Sequence, residues 1–271
     1  MDLAWVETYR DASDRAGLAL RPGERLLAGG TWLFSAPHAD VTGLVDLTAL
    51  GWAPWEPLPD GGLRLGATCT VAQAQQAPWP AGGSALVRQC ADALLMSVKV
   101  QAAATVGGNL CLGLPAGAMI ALTAALDGEV LIWTPDDGAR RTPVAEFVGG
   151  PGVVDLRPGE VVRAVDLPGR ALARPTALRR CSLTTHGRSA ALVIGRRDPD
   201  AVVLTLTASV PRPVVVRLPA GSAEPAVRAA VATAGARAGW YADPHGAPDW
   251  RAAQTVRLAA EVWAELSGGT S

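Results

Sequence analysis

Proline and glycine interrupt this sequence so often that most regular elements must be short. Thirty glycines and 21 prolines are spread through 271 residues. Each proline removes a backbone donor, and each glycine weakens the helix or strand it sits in. The densest punctuation marks two joins. Gly51 to Gly62 holds three prolines and an adjacent glycine pair, and Leu167-Pro168-Gly169-Arg170 is followed by Pro175. These joins divide the chain into regions 1–55, 56–170 and 171–271. A chain of this length can bury a sizeable core in two or three packed subdomains.

Several function classes are disfavoured at once. There are 24 basic and 25 acidic residues, so nothing electrostatic favours nucleic acid or an anionic membrane as a partner. The apolar runs are far shorter than the ~20 residues of a membrane-spanning helix. The first residues, Met1 to Glu7, lack the basic start and apolar stretch of a secretory signal, so a cytoplasmic location is expected. Cys69, Cys90, Cys111 and Cys181 are scattered without metal-ligand spacing and read as buried thiols. His38, His186 and His245 are equally isolated, and no GxSxG elbow accompanies the Ser182, Thr184, Thr185 and His186 cluster. No metal site and no catalytic side chain are expected.

The pattern of elements is mixed. Val6 to Leu18 reads as a helix, and Arg25 to Ala28 and Leu44 to Leu47 as short strands. Leu63 to Ala67 is a strand, Thr70 caps a helix through Gln76, and Ser84 caps another through Leu95. Pro115 opens a helix over Ala116 to Leu126. Glu129 to Trp133 and Arg140 to Val144 form a hairpin about Asp136-Asp137-Gly138. The third region has strands at 177–183, 190–194, 202–207 and 214–218. It ends in an amphipathic helix with Val256, Ala259, Trp263 and Leu266 on one face and Asp249 at its start.

Two glycine pairs carry the functional signal. The first lies in Leu27-Ala28-Gly29-Gly30-Thr31-Trp32-Leu33, after a short strand. The second lies in Thr105-Val106-Gly107-Gly108-Asn109. At each, missing side chains let backbone amides approach an anion, with hydroxyl or carboxamide donors beside them. Two such turns, far apart in sequence, suit a ligand gripped from two sides, such as a dinucleotide diphosphate. The competing reading is that each pair is simply a tight turn, with Thr31 and Asn109 serving the loops themselves. Neither pair is a GxGxxG or GxxxxGK[ST] fingerprint.

Taken together and in this order, the two loops resemble those of the FAD-binding medium subunit of the molybdenum hydroxylases, the xanthine dehydrogenase, aldehyde oxidase and carbon monoxide dehydrogenase group. Ala28-Gly29-Gly30-Thr31 is similar to that family's AGGT loop, and Thr105 to Asn109 to its T[IV]GGN loop. Leu44-Val45-Asp46-Leu47, Leu65-Gly66-Ala67, Pro115-Ala116-Gly117 and Gly159-Glu160-Val161-Val162 resemble further family segments, and Leu178-Arg179-Arg180 falls where the third domain's Y-K-x-x-R segment begins.

The resemblance implies an α+β fold: a two-subdomain FAD-binding domain of the vanillyl-alcohol oxidase (PCMH) type, over 1–55 and 56–170, then a C-terminal α+β domain of the CO dehydrogenase flavoprotein type over 171–271. It implies FAD as cofactor, held by Leu27, Ala28, Gly29, Gly30, Thr31, Trp32, Leu33, Thr105, Val106, Gly107, Gly108 and Asn109, with Val162 and Arg179 in the site as well. It further implies an iron–sulfur small subunit and a molybdopterin large subunit as partners. Electrons would pass from [2Fe–2S] clusters through FAD to NAD, oxygen or a quinone. Four positions depart from the family pattern: Trp32 stands where an acidic or small polar residue often follows the AGGT loop, Ala118 where an aspartate is common, and Gln101 and Ala102 where arginine and asparagine are. The last three motivate the alternative of a flavin-free scaffold relative.

Overall fold

The structure is a computed structural model that describes residues 4–80 and 83–268. Three principal sheets succeed one another along the chain, each built from strands of three to seven residues. In the first, β1 (Thr8–Asp11) and β2 (Glu24–Leu27) both run parallel to the central β3 (Gly43–Asp46). The helix expected over Val6 to Leu18 does not form. β1 takes its place, followed by one 3-10 turn at Ala16–Leu18. Only Ala12 and Leu18 of this stretch are buried, too few for a helical face, while β3 offers an edge with which Thr8–Asp11 can pair.

The second sheet contains β4 (Trp55–Pro57), β5 (Leu63–Gly66), β6 (Glu129–Trp133) and β7 (Ala139–Pro143). A small separate ladder joins β8 (Val148–Gly150) to β9 (Val153–Val154). The central strand β10 (Val161–Leu167) completes the antiparallel order β4-β5-β10-β6-β7. Five helices fill the connection from β5 to β6: α1 (Val71–Gln75), α2 (Gly83–Ala93), α3 (Val98–Ala103), α4 (Val106–Cys111) and α5 (Ala118–Ala125). Thr70 starts α1 through a reciprocal capping box with Gln73, as its position predicts. Every residue of α5 is buried, which explains why it lacks a polar face. It packs against α2 and α4 on one side and the third sheet on the other. The short helices α6 (Val144–Phe147) and α7 (Gly169–Leu172) lie near the end of this region.

The third sheet is an antiparallel meander of β11 (Thr176–Cys181), β12 (Ala191–Arg197), β13 (Ala201–Thr207) and β14 (Val214–Pro219). Helices α8 (Glu224–Ala238) and α9 (Pro248–Gly268) cover one face. Alternate residues of β12 show that both faces are dry. Ala191 and Val193 join the cluster around α9, whereas Leu192 and Ile194 join the core containing α5. On α9, Ala259, Trp263 and Leu266 are buried and Val256 is half-buried against the same core, the face that the spacing predicts.

Among the described residues no helix is long and apolar enough to cross a membrane, and no group of three or more His, Cys, Asp or Glu could hold a metal ion. Cys69 and Cys90 are buried thiols, and burial pushes Cys69 up to about 12. Cys111 departs from the expectation, because it is exposed where α4 borders a cleft, and Cys181 is half-buried.

Candidate functional site

The two glycine loops converge on one cleft of about 620 Å³, a volume typical of small-molecule sites. The first loop begins where β2 ends and Leu47 N–H donates to the Leu27 carbonyl at 2.8 Å. Gly30 takes φ +67°, a conformation that a side chain disfavours. Gly29 is glycine for a different reason. A Cβ there would overlap the Ala103 carbonyl oxygen at the end of α3. The turn is held from its far side by Phe34 N–H on the Gly30 carbonyl and by Ser35 on the Trp32 carbonyl. The N–H groups of Gly29, Gly30, Thr31 and Trp32 have no acceptor among the described residues, nor does the Thr31 hydroxyl. A run of unpaired donors beside a cleft is an anion-receptive surface.

The second loop is organised in the opposite way. Thr105 is the N-cap of α4, and its hydroxyl oxygen accepts from Gly108 N–H at 3.1 Å. Val106 N–H donates to the Cys69 carbonyl at 2.8 Å and Gly107 N–H to the Ala67 carbonyl at 2.9 Å. A Cβ on Gly107 would sit 2.6 Å from the Ala67 Cβ, so this glycine lets α4 close on the end of β5. A Cβ on Gly108 would meet only the Thr105 hydroxyl oxygen, at 2.9 Å. The Asn109 Oδ1 accepts from Met119 N–H at 2.8 Å and so serves the first turn of α5. The donors left for a ligand here are the Thr105 hydroxyl hydrogen and the Asn109 amide, which has no acceptor among the described residues.

The remaining wall is mostly apolar. Leu94, Leu95 and Met96 enter from the α2–α3 connection, Val100 from α3, and Val161 and Val162 from β10. A register shift between Val162 and Ala164 places a bulge at that point of β10. Glu160 also lines the cleft and is held by Arg140, whose Nε and Nη2 donate to its two oxygens at 2.8 and 2.7 Å. Arg140 and the Arg157 N–H keep this carboxyl at about 2, so it is ionised. Arg188 reaches the cleft from the β11–β12 connection.

Leu27 to Leu33, Thr105, Gly107, Gly108, Asn109 and Val162 all line this cleft. Val106 and Arg179 are not brought to it. Val106 is fully buried in the core. Arg179 turns to α9, donating to Glu265 at 2.6 Å and lying 3.9 Å from Glu261. Leu94, Leu95, Met96, Val100 and Arg188 carried no sequence signal, because apolar and isolated basic residues look alike in a core, on a surface or in a cleft. Glu160 and Val161 were within a segment already singled out. Of the departing positions, Gln101 accepts from Gln75 and donates to the Met96 carbonyl, and Ala118 is buried at the start of α5. Neither Gln101 nor Ala118 lines the cleft.

A protein-family model described as the FAD binding domain in molybdopterin dehydrogenase matches residues 5–170. No curated protein is significantly similar to the chain in sequence. Among solved structures, a chain of quinoline 2-oxidoreductase from Pseudomonas putida 86 is similar in fold, with TM-score 0.82 and 20% identity over 99% of each chain. A chain of CO dehydrogenase from Oligotropha carboxidovorans matches with TM-score 0.81 and 21% identity, covering 96% of this chain and 97% of that one. Carbon monoxide dehydrogenase from Hydrogenophaga pseudoflava gives 0.79 and 21%, covering 96% and 98%.

Proposed function

The chain belongs to the family of FAD-binding domains of molybdopterin dehydrogenases, with FAD as its cofactor, and we propose that it is the subunit through which electrons leave a molybdenum-hydroxylase-type oxidoreductase. The observation that carries this reading is the run of unpaired N–H groups from Gly29 to Trp32 at the edge of a largely apolar cleft. A diphosphate needs many donors at close range, and an aromatic ring system needs a dry wall. The cleft offers both, so its residues fit the cofactor.

In this reading the first loop binds the anionic part of FAD through backbone donors and the Thr31 hydroxyl. Thr105 and Asn109 add a donor each from the opposite side. Leu94, Leu95, Met96, Val100, Val161 and Val162 exclude water. When bound, FAD would supply the redox chemistry, with NAD, oxygen or a quinone as the acceptor. Arg140 holds Glu160 ionised at about 2, which leaves it no proton to donate at neutral pH and makes it a weak base. The electron source is an iron–sulfur small subunit, fed in turn by a molybdopterin subunit that carries out the substrate hydroxylation.

Absorption of the purified protein tests the cofactor reading. A band near ~450 nm is expected, with FAD as the released flavin. Colourless protein that takes up no added FAD would favour the scaffold alternative. Co-expression with candidate small and large subunits tests the assembly. One co-purifying complex is expected, with an interface of ~1,600 Å² in total. Separation of the subunits at low and moderate salt would argue against it.

A further inference from the structure

A second cavity lies where residue 170 meets the third sheet. It has a volume of about 330 Å³ and shares no lining residue with the cleft. Its wall carries four guanidiniums, Arg170, Arg174, Arg196 and Arg217, and two carboxylates, Asp127 and Asp198. Asp200 adds a third carboxylate by pairing with Arg217 at 2.7 Å. One positive charge remains in excess even when Asp200 is counted.

The four arginines are not equivalent. Arg196 is 2% exposed and fixed at the floor. Its Nη1 donates to the Ala125 carbonyl at 2.8 Å, its Nη2 to Asp127 at 2.8 Å, and its Nε to Asp198 at 2.9 Å. Arg217 shares Asp198 with it, at 2.6 Å. Arg170 holds only Asp127, at 3.3 Å, on an oxygen that Arg196 already uses. Arg174 is half-buried and has no acceptor among the described residues. Solvent reaches the Arg174 guanidinium, and the Arg170 side chain is 70% exposed, so both charges are free to turn to a ligand in the hollow. Here the unpaired and the weakly paired guanidinium line the same hollow, above a cation that cannot turn away.

We propose that this cavity binds a phosphoryl dianion, carried on a small organic phosphomonoester. Guanidinium forks match phosphate oxygens geometrically, and a phosphate offers Arg174 an acceptor that the protein does not and Arg170 a closer one than Asp127. The volume lies at the lower end of small-molecule sites and exceeds what a bare oxyanion needs. Arg170 and Arg174 lie near residue 170, where the family match ends, and Arg196 and Arg217 belong to β12 and β14, so the ligand would bridge two parts of the fold and stabilise their junction.

The test titrates the full-length, FAD-loaded protein with glycerol 3-phosphate and with inorganic phosphate by calorimetry, against chloride at matched ionic strength. Saturable binding is expected, with a rise in melting temperature that chloride does not reproduce. Arg174→Gln should weaken it about tenfold or more, and Arg170→Gln similarly, since each removes a charge-assisted bond. FAD affinity should be unchanged in both, which separates this cavity from the cleft. Tighter binding of the ester supports an organic phosphate, and binding of the free ion alone overturns that assignment. No saturable binding of either probe up to ~10 mM, or equal binding in the double variant, would overturn the site.

Discussion

The two Gly-Gly pairs look alike as letters and differ as chemistry. At Gly29-Gly30 the chain leaves a strand, and the following N–H groups have no internal acceptor. At Gly107-Gly108 the chain enters α4, and both glycine N–H groups are already taken, by the Ala67 carbonyl and the Thr105 hydroxyl. The first pair exposes donors. The second permits close packing and leaves Gly108 bare toward the cleft. A glycine pair therefore signals that side chains are unwelcome, and only its hydrogen-bond surroundings say whether a ligand or the protein excludes them.

The largest effect should come from Gly29→Ala. Its Cβ would collide with a backbone carbonyl that cannot rotate aside, so a loss of about 3 kcal/mol or more is expected in denaturant unfolding, together with loss of FAD. Wild-type stability in this variant would break the comparison at its first term. Gly107→Ala should cost about 1–3 kcal/mol for overpacking against Ala67. Adding Ala67→Gly should restore only part of this, because the Cα and carbonyl oxygen of residue 67 remain 2.9 Å away.

Single-donor variants sharpen the contrast. Asn109→Ala strands a helix N–H that is otherwise satisfied at 2.8 Å, and should cost about 1–3 kcal/mol with or without FAD. Thr31→Ala removes a hydroxyl with no protein partner. It should leave the melting temperature of the apo protein unchanged and weaken FAD binding about tenfold. Equal FAD affinity in Thr31→Ala and wild type would move the ligand away from the first loop.

The smallest effect concerns acid. Arg140 lowers the Glu160 carboxyl from its ordinary 4.5 to about 2, so the pair stabilises the fold fully above pH 4.5 and its contribution is lost as pH falls toward 2. Arg140 is partly exposed, and solvent screening keeps the contribution modest. Glu160→Gln should lower stability at neutral pH and flatten the acid limb of the stability profile. An unchanged acid limb would mean that other carboxylates control it.

The local chemistry was readable from the residues alone. Proline and glycine spacing limits element length, Thr70 with Gln73 specifies a helix start, and alternation or 3.6-residue spacing reports which face is buried in the third region and on α9. Those are properties of neighbours in sequence, and they marked both glycine loops. The sequence could not say that Thr8–Asp11 would pair with β3 in place of forming a helix, because an edge to pair with exists only after the chain has folded. It could not say that Arg179 would turn to Glu265, or that Leu94, Leu95, Met96, Val100 and Arg188 would meet the loops across the cleft. Above all, it could not distinguish the two glycine pairs. Whether an N–H group is free depends on a carbonyl or hydroxyl brought beside it, and for Gly107 that carbonyl belongs to Ala67, forty residues away in the chain.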